Sequence, residues 1–227
     1  LRRAQHRFPE ALERLDKARA LCGDQPTAVA RILLKKERVF YQLGDFGAAL
    51  DTLAEASRFV EASGDAHLLF AHRFNTVSDL CSLERFAEAA PLFPAVREMA
   101  IERGRQIELI RLLWLSSKIA AGQGRVEEAM AGLSQVVWDF TDLDSPYEAA
   151  LAALELSVLY LDAGRTAEVK ALAAAIGRIF MAKGITREAL AALSVFCEAA
   201  QQESATVDMA KRAIAEVEKA QRSASPA

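Results

Sequence analysis

A pattern of apolar residues recurs along this chain at an interval of about 40 residues. Four columns make up the pattern, and Phe46, Ala49, Leu53 and Ala56 define them. The first column lies at Phe8, Phe46, Phe86, Val126, Thr166 and Val207, and the spacing between successive copies is nearly constant. A period of this length indicates a repeat array in which each unit packs on its neighbours. We therefore predict a single domain over residues 1–222, followed by a disordered tail at 223–227.

The composition and the turn residues predict that each repeat is a pair of α-helices. Apolar residues make up 52% of the chain, and no β-branched run alternates with polar residues. Glycines and short polar segments separate the predicted helices, and short turns force the two partners to be antiparallel. The sequence thus predicts an all-α array of about five helix pairs, preceded by a leading half-unit.

The beginning of the chain is predicted to hold the end of one helix and the whole of the next. Residues 1–5 are assigned to the last turn of a helix, and residues 8–22 to the helix that follows. Pro9 then lies in a first turn, where its missing N–H costs little. The chain begins with Leu1 rather than methionine, and we expect it to be part of a longer protein.

The second helix of the repeat resembles that of the tetratricopeptide-repeat family. Phe46, Ala49, Leu53 and Ala56 reproduce the family's order of an aromatic, a small, a bulky and a small residue, and residues 43–45 (Leu-Gly-Asp) match its inter-helix turn. The family's standard period is about 34 residues. The longer period of this chain is similar to that of the subgroup found in bacterial regulators and signalling proteins. The resemblance implies a right-handed superhelical solenoid that binds a protein or peptide on its concave face.

In that family the first helix of each pair lines the concave groove. Projecting the register of the second helices backward places cationic, aromatic and amide side chains of this chain there. Guanidinium and ammonium groups suit the carboxylates of a peptide, and rings suit its apolar anchors. The predicted peptide-binding residues are Arg31, Arg38, Tyr41, Gln42, Phe74, Asn75, Arg111, Trp114 and Lys118. Solvated charges beside core aromatics would produce the same pattern, and this alternative stays open.

The corresponding face of the later repeats is apolar. Leu151, Leu154, Val158 and Leu161 fall at its positions. Such a face can hold an apolar partner, can be covered by an additional helix, or can be less exposed than the repeat register indicates. The sequence leaves these three alternatives open.

Charge and motifs argue against several other functions. A net charge of −3 disfavours contact with nucleic acid through phosphates, and no apolar run of about 18 residues predicts a membrane span. Cys22, Cys81 and Cys197 lie far apart, as expected for reduced thiols of a cytoplasmic protein. His67 and His72 fall on different helix faces, so no metal site is expected. Catalytic motifs and cofactor loops are not found, and we predict a non-catalytic protein that binds no cofactor.

Three alternatives to a plain binding scaffold remain. Residues 159–168 and 186–193 are similar to late repeats of bacterial helix-turn-helix transcription regulators, which implies a ligand-sensing or dimerising half whose DNA-binding domain lies upstream. A homodimer is the second alternative, because a leading half-unit would leave Leu12 and Leu15 open. An enzyme whose residues converge only in space is the third.

Overall fold

The structure, a computed structural model, describes residues 2–181 and 187–224, and these ranges form eleven α-helices joined by short turns. The helices are α1 (Arg2–Leu21), α2 (Pro26–Leu43), α3 (Phe46–Ser63), α4 (Ala66–Ser82), α5 (Phe86–Arg103), α6 (Gln106–Gly122), α7 (Val126–Asp142), α8 (Pro146–Asp162), α9 (Thr166–Met181), α10 (Arg187–Gln201) and α11 (Val207–Ala224). After α1, each even-numbered helix is the first of a pair and each odd-numbered helix the second. The predicted all-α repeat fold, five pairs after a leading half-unit, is confirmed.

The two ends of the chain differ from the prediction. α1 is one continuous helix from Arg2 to Leu21 with Pro9 inside it, so the predicted break after residue 5 is wrong. Residues 5–7 (Gln-His-Arg) contain no glycine or asparagine to end a helix. A proline inside a helix removes one backbone hydrogen bond and crowds the preceding turn, which can bend the helix without ending it. At the other end, α11 runs to Ala224, and residues 225–227 of the predicted tail lie outside the described residues.

The second column of the repeat explains how the helices approach one another. It contributes Ala49, Ala89, Ala129, Val169 and Ala210, one for each second helix, and all five are buried. Four of the five are alanines, and a side chain this small lets two helix backbones come close. The alignment of columns in the sequence is therefore an alignment of packing positions in the structure.

The turns recur with the period of the helices. Between the first and second helix of a pair, a residue with positive φ lies at Gly44, Glu84, Gly124 and Gly164, and these positions are evenly spaced along the chain. This backbone conformation ends the first helix and reverses the chain. Glycine adopts it without a steric penalty, whereas Glu84 adopts it with φ of 57°.

The turn at residues 43–45 has the geometry expected of the inter-helix turn. The N–H of Gly44 donates to the Tyr41 carbonyl at 3.0 Å, and the N–H of Asp45 donates to the Phe40 carbonyl at 3.0 Å. The Asp45 carboxylate then accepts a 3.0 Å bond from the N–H of Ala48. One short segment thus caps the end of α2 and the start of α3.

The helices form two compact units, Leu1–Leu109 and Ile110–Ala227, here called unit 1 and unit 2. In unit 1, α1 packs on α2, α3 on α2 and α4, α5 on α4, and α2 also touches α4. The core between α2 and α3 contains Val29, Leu33, Phe59 and Val60. The predicted extent of a single domain over residues 1–222 stays a prediction.

Unit 2 departs from packing between helices that are adjacent in the repeat. There α11 packs on α8 as well as on α10, and α9 packs on both α8 and α10. The four helices share one core, to which each contributes a large buried residue. These residues are Leu154 of α8, Val169 of α9, Phe196 of α10 and Val217 of α11. The last four helices therefore close on one another as a bundle.

Candidate functional site

The predicted residues of α2 lie on the surface of unit 1. Arg31, Arg38 and Tyr41 are exposed and Gln42 is half-buried. Arg31 reaches to 3.6 Å from the Asp65 carboxylate. The Tyr41 ring meets Phe46 edge-on, with the ring centroids 5.3 Å apart. α2 thus presents two guanidinium groups and a phenol to solvent.

Asp65 has a role of its own at the start of α4. Its carboxylate accepts hydrogen bonds from the N–H groups of Leu68 and His67, and these bonds hold its pKa below the usual value. The carboxylate therefore stays ionised while it caps the helix. Arg31 lies beside this charge with most of its side chain in water, so the ion pair contributes little stability and leaves the guanidinium accessible.

The predicted residues of α4 are only partly accessible. Phe74 and Asn75 are half-buried. The Phe74 ring packs against Phe70, with the ring centroids 5.8 Å apart. Asn75 donates a 2.7 Å hydrogen bond from Nδ2 to the Glu37 carboxylate on α2. Asn75 thus links α2 and α4, the first helices of two consecutive pairs, through a side-chain hydrogen bond.

Sequence reasoning missed two acidic residues beneath this face. Glu37 is 2% exposed and Asp79 is fully buried. Burial raises the pKa of Glu37 to about 7, against the opposing effects of the Asn75 hydrogen bond and the Arg38 charge. Burial, followed by repulsion from Glu37, raises the pKa of Asp79 to about 8. Their signal in the sequence is acidic residues at inward-facing helix positions, since Leu33, one turn before Glu37, and Leu80, next to Asp79, are both buried.

In unit 2 the predicted residues Trp114 and Lys118 are brought together by a carboxylate. Trp114 donates from Nε1 to one Glu155 oxygen at 2.6 Å, and Lys118 donates from Nζ to the other at 2.8 Å. Lys118 Nζ also lies 5.8 Å from the centre of the Trp114 ring, and that ring packs edge-on against Phe140. Arg111, the third predicted residue here, is exposed.

The apolar positions of the later repeats are covered by the chain itself. Leu151 and Leu154 of α8 are buried, and Val158 and Leu161 pack on the same core. The covering element is α11, whose Val217 is buried in this cluster. Of the three alternatives left open by the sequence, the structure supports coverage by an additional helix.

The described residues bring together no group of three or more His, Cys, Asp or Glu side chains that could hold a metal ion. Over the same part of the chain, none of the helices has both the length and the apolar character needed to cross a bilayer. Leu12 and Leu15, expected to lie open in the leading half-unit, are half-buried, and α1 packs on α2.

The sequence matches no protein-family model and no curated protein. Among solved structures, the chain is similar to BtubC (BKLC) from P. vanneervenii, with 15% identity, a TM-score of 0.66, and coverage of 97% of this chain and 91% of that one. It is also similar to a Rap protein solved in complex with Competence and Sporulation Factor, with 12% identity and a TM-score of 0.72. That match covers 96% of this chain and 61% of the Rap chain. At these identities the likeness shows the fold, a repeat of α-helices.

Proposed function

We propose that this chain is a non-catalytic, cytoplasmic binding module that docks a segment of a protein or peptide on the first helices of unit 1. The docking face consists of Arg31, Arg38, Tyr41, Phe74 and Asn75. One observation carries the proposal: Arg38 and Tyr41 are exposed on α2, and Phe74 and Asn75, on the neighbouring helix α4, are half-buried. Cations, rings and an amide are thereby available on two helices in contact.

The chemistry of this face favours a partner with carboxylates and apolar side chains. A guanidinium group binds a carboxylate with two parallel hydrogen bonds, and a partly buried ring offers contact area for an apolar anchor. In unit 2 the matching residues Trp114 and Lys118 already bind Glu155, and α11 covers the apolar part of α8. Unit 1 is therefore the better docking site of the two.

The Rap protein offers a precedent for the fold alone. That protein was solved in complex with Competence and Sporulation Factor, and this chain covers 61% of it, which supports a binding role for a fold of this kind. Membership of the long-period tetratricopeptide subgroup, a bacterial origin and a role in transcription regulation stay predictions. Within the described residues, no particular observation favours the regulator alternative over the docking module.

Site-specific photo-crosslinking in cells tests the docking face. A photoreactive phenylalanine analogue replaces Tyr41 on the face, or Glu55 on the exposed side of α3 as the matched control. We expect a covalent adduct with a distinct partner from position 41 and none from position 55. Adducts of equal yield at both positions, or at position 55 alone, would contradict the proposal.

A charge reversal then measures what the guanidinium contributes. With the captured partner, Arg38→Glu is expected to weaken binding by about tenfold or more, because a guanidinium donor is replaced by a carboxylate that repels carboxylates of the partner. A tenfold change corresponds to about 1.4 kcal/mol. Glu55→Arg, which reverses a charge away from the face, should leave the affinity unchanged. Equal affinity for wild type and Arg38→Glu would place the docking site elsewhere.

A further inference from the structure

A seam of two buried acids and one half-buried amide lies between α2 and α4 of unit 1. It consists of Glu37 on α2, with Asn75 and Asp79 on α4, and is here called the α2–α4 seam. Asn75 and Asp79 are four residues apart on one helix and so lie on the same face. A 2.7 Å hydrogen bond from Asn75 Nδ2 to the Glu37 carboxylate connects the two helices across the seam.

The seam contains more acceptors than donors. Among the described residues, neither carboxylate oxygen of Asp79 has a hydrogen-bond partner, and the side chain is fully buried. Glu37 receives its bond from a neutral amide rather than from a cation. A buried carboxylate without a cation is strongly unfavourable when ionised, whereas a protonated carboxyl is far less so and can itself donate a hydrogen bond.

We propose that Glu37 and Asp79 form a proton-operated latch between α2 and α4: the seam stays closed while the pair holds a proton and opens when both carboxyl groups ionise. Two adjacent buried carboxylates without a cation repel each other, and water must enter to solvate them. The switch is local to unit 1 and does not depend on whether the docking face binds a partner.

The charged groups around the seam compensate its acids only in part. Arg38, next to Glu37 on α2, is exposed to water, and its charge lowers the pKa of Glu37 by less than burial raises it. Lys36 pairs with Asp16 of α1. On α4, His72 contacts the Leu53 carbonyl through Nε2 and Arg73 is exposed. The charged residues of α3 (Asp51, Glu55, Arg58 and Glu61) are all exposed. On α5, Glu88, Arg97, Glu98 and Glu102 are exposed, and Arg103 is held by Glu108.

The direction of the effect follows from the two pKa values, about 7 for Glu37 and about 8 for Asp79. Both exceed the usual values, so the closed seam binds more protons than an open one. The closed form is therefore favoured at low pH, loses stability as pH rises above the ordinary carboxyl range, and stops losing it above about pH 8. Because Arg38 and Asn75 belong to the proposed docking face, opening would also alter that face, at a pH above about 8 where both carboxyl groups are ionised.

Hydrogen exchange followed by mass spectrometry tests the latch on the whole chain. Protection of the α2 and α4 amides is measured from about pH 5 to about pH 9, beyond the pKa of Asp79, and corrected for the base-catalysed intrinsic rate. We expect protection to fall with pH by up to about tenfold per pH unit for each carboxyl that titrates. Protection in α3, measured at the same time, indicates whether unit 1 opens as a whole.

Neutral variants separate the latch from general pH effects. Glu37→Gln keeps an oxygen that can accept the Asn75 bond, and Asp79→Asn keeps the shape of the side chain. The double variant should show protection that does not depend on pH, whereas Asp51→Asn on exposed α3 should behave as wild type. An unchanged slope in the double variant would overturn the proposal, as would a flat wild-type profile.

A carboxyl carbon NMR titration of the wild type needs no substitution. The signals of Glu37 and Asp79, assigned in the wild type by through-bond correlation to their own backbone amides, should titrate well above the ordinary carboxyl range. Titration of both groups in the ordinary carboxyl range, near pH 4, would rule out the latch even if a variant fails to fold. Binding at the docking face plays no part in either experiment, so a failure there leaves this result unaffected.

Discussion

The indole N–H of Trp114 on α6 and the ammonium of Lys118, one turn later, donate to the two oxygens of the same carboxylate, that of Glu155 on α8, at 2.6 Å and 2.8 Å. We expect Glu155→Ala to lower the free energy of unfolding by about 1.5–3 kcal/mol, because both donors lose a charged acceptor at a half-buried position. Urea denaturation followed by circular dichroism measures the change. Glu127→Ala, at a carboxylate with 84% side-chain exposure and 3.6 Å from Arg165, should change stability by less than about 0.5 kcal/mol. Equal losses in the two variants would contradict this account.

The period of positive-φ residues predicts opposite effects at two equivalent turns. At Glu84 a non-glycine residue holds the left-handed conformation, so Glu84→Gly should raise the free energy of unfolding by about 0.5–1 kcal/mol. Gly44→Ala at the equivalent turn should lower it by about 1 kcal/mol, although a Cβ there meets nothing within 4 Å. Thermal and urea unfolding of the two variants measure both signs. A loss of stability in Glu84→Gly would mean that the Glu84 side chain contributes more than its backbone strain costs.

Gly132 on α7 lies where α6 leaves no room for a side chain. A Cβ built on it would lie 2.2 Å from the Ser117 hydroxyl and 3.4 Å from its Cβ. We therefore expect Gly132→Ala to destabilise the chain by about 1–3 kcal/mol, despite the better helix propensity of alanine. Ser117→Ala removes the clashing oxygen, so Gly132→Ala should cost much less in that background. A double-mutant cycle from urea denaturation tests this, and simple additivity of the two changes would refute the steric explanation.

The contact of α11 with α8 predicts a large effect of trimming the shared core. Leu154 is fully buried among the last four helices, so Leu154→Ala should lower the free energy of unfolding by about 2–5 kcal/mol. Val195→Ala on the exposed side of α10, where the side chain is 55% exposed, should change it by less than about 0.5 kcal/mol. Denaturation midpoints of both variants give the comparison. A small effect at Leu154 would mean that the bundle is looser than its burial indicates.

The sequence predicts the repeat well because the repeat is a local property. Apolar columns, capping residues and glycines act within a few residues of one another, so the inter-helix turn at residues 43–45 and the five helix pairs follow from the chain directly. The continuous α1 does not follow from these local signals, because Pro9 is typical of a helix start although no stop residue precedes it.

The site is harder to predict because exposure depends on residues far apart in sequence. The register placed Trp114 and Lys118 on an accessible face, yet Glu155, on the first helix of the next pair, binds both. Similarly, Asn75 was predicted as a ligand-facing amide, and its partner Glu37 lies on the first helix of the preceding pair. Periodicity gives the face of a helix on which a residue lies, but not which other helix covers that face.

The contact between α8 and α11 also bears on the order in which this part of the chain acquires structure during synthesis. α8 leaves the ribosome two whole helices before α11, and until then Leu151 and Leu154 lack the helix that buries them in the finished bundle. Earlier helices pack on neighbours made directly before or after them, and so does α8 on α7 and α9, but the contact of α8 with α11 can form only after both α9 and α10 have been made. Until α11 is made, these leucines lack part of their cover and leave apolar surface on the nascent chain. A chaperone that binds this surface would prevent aggregation at this stage of synthesis.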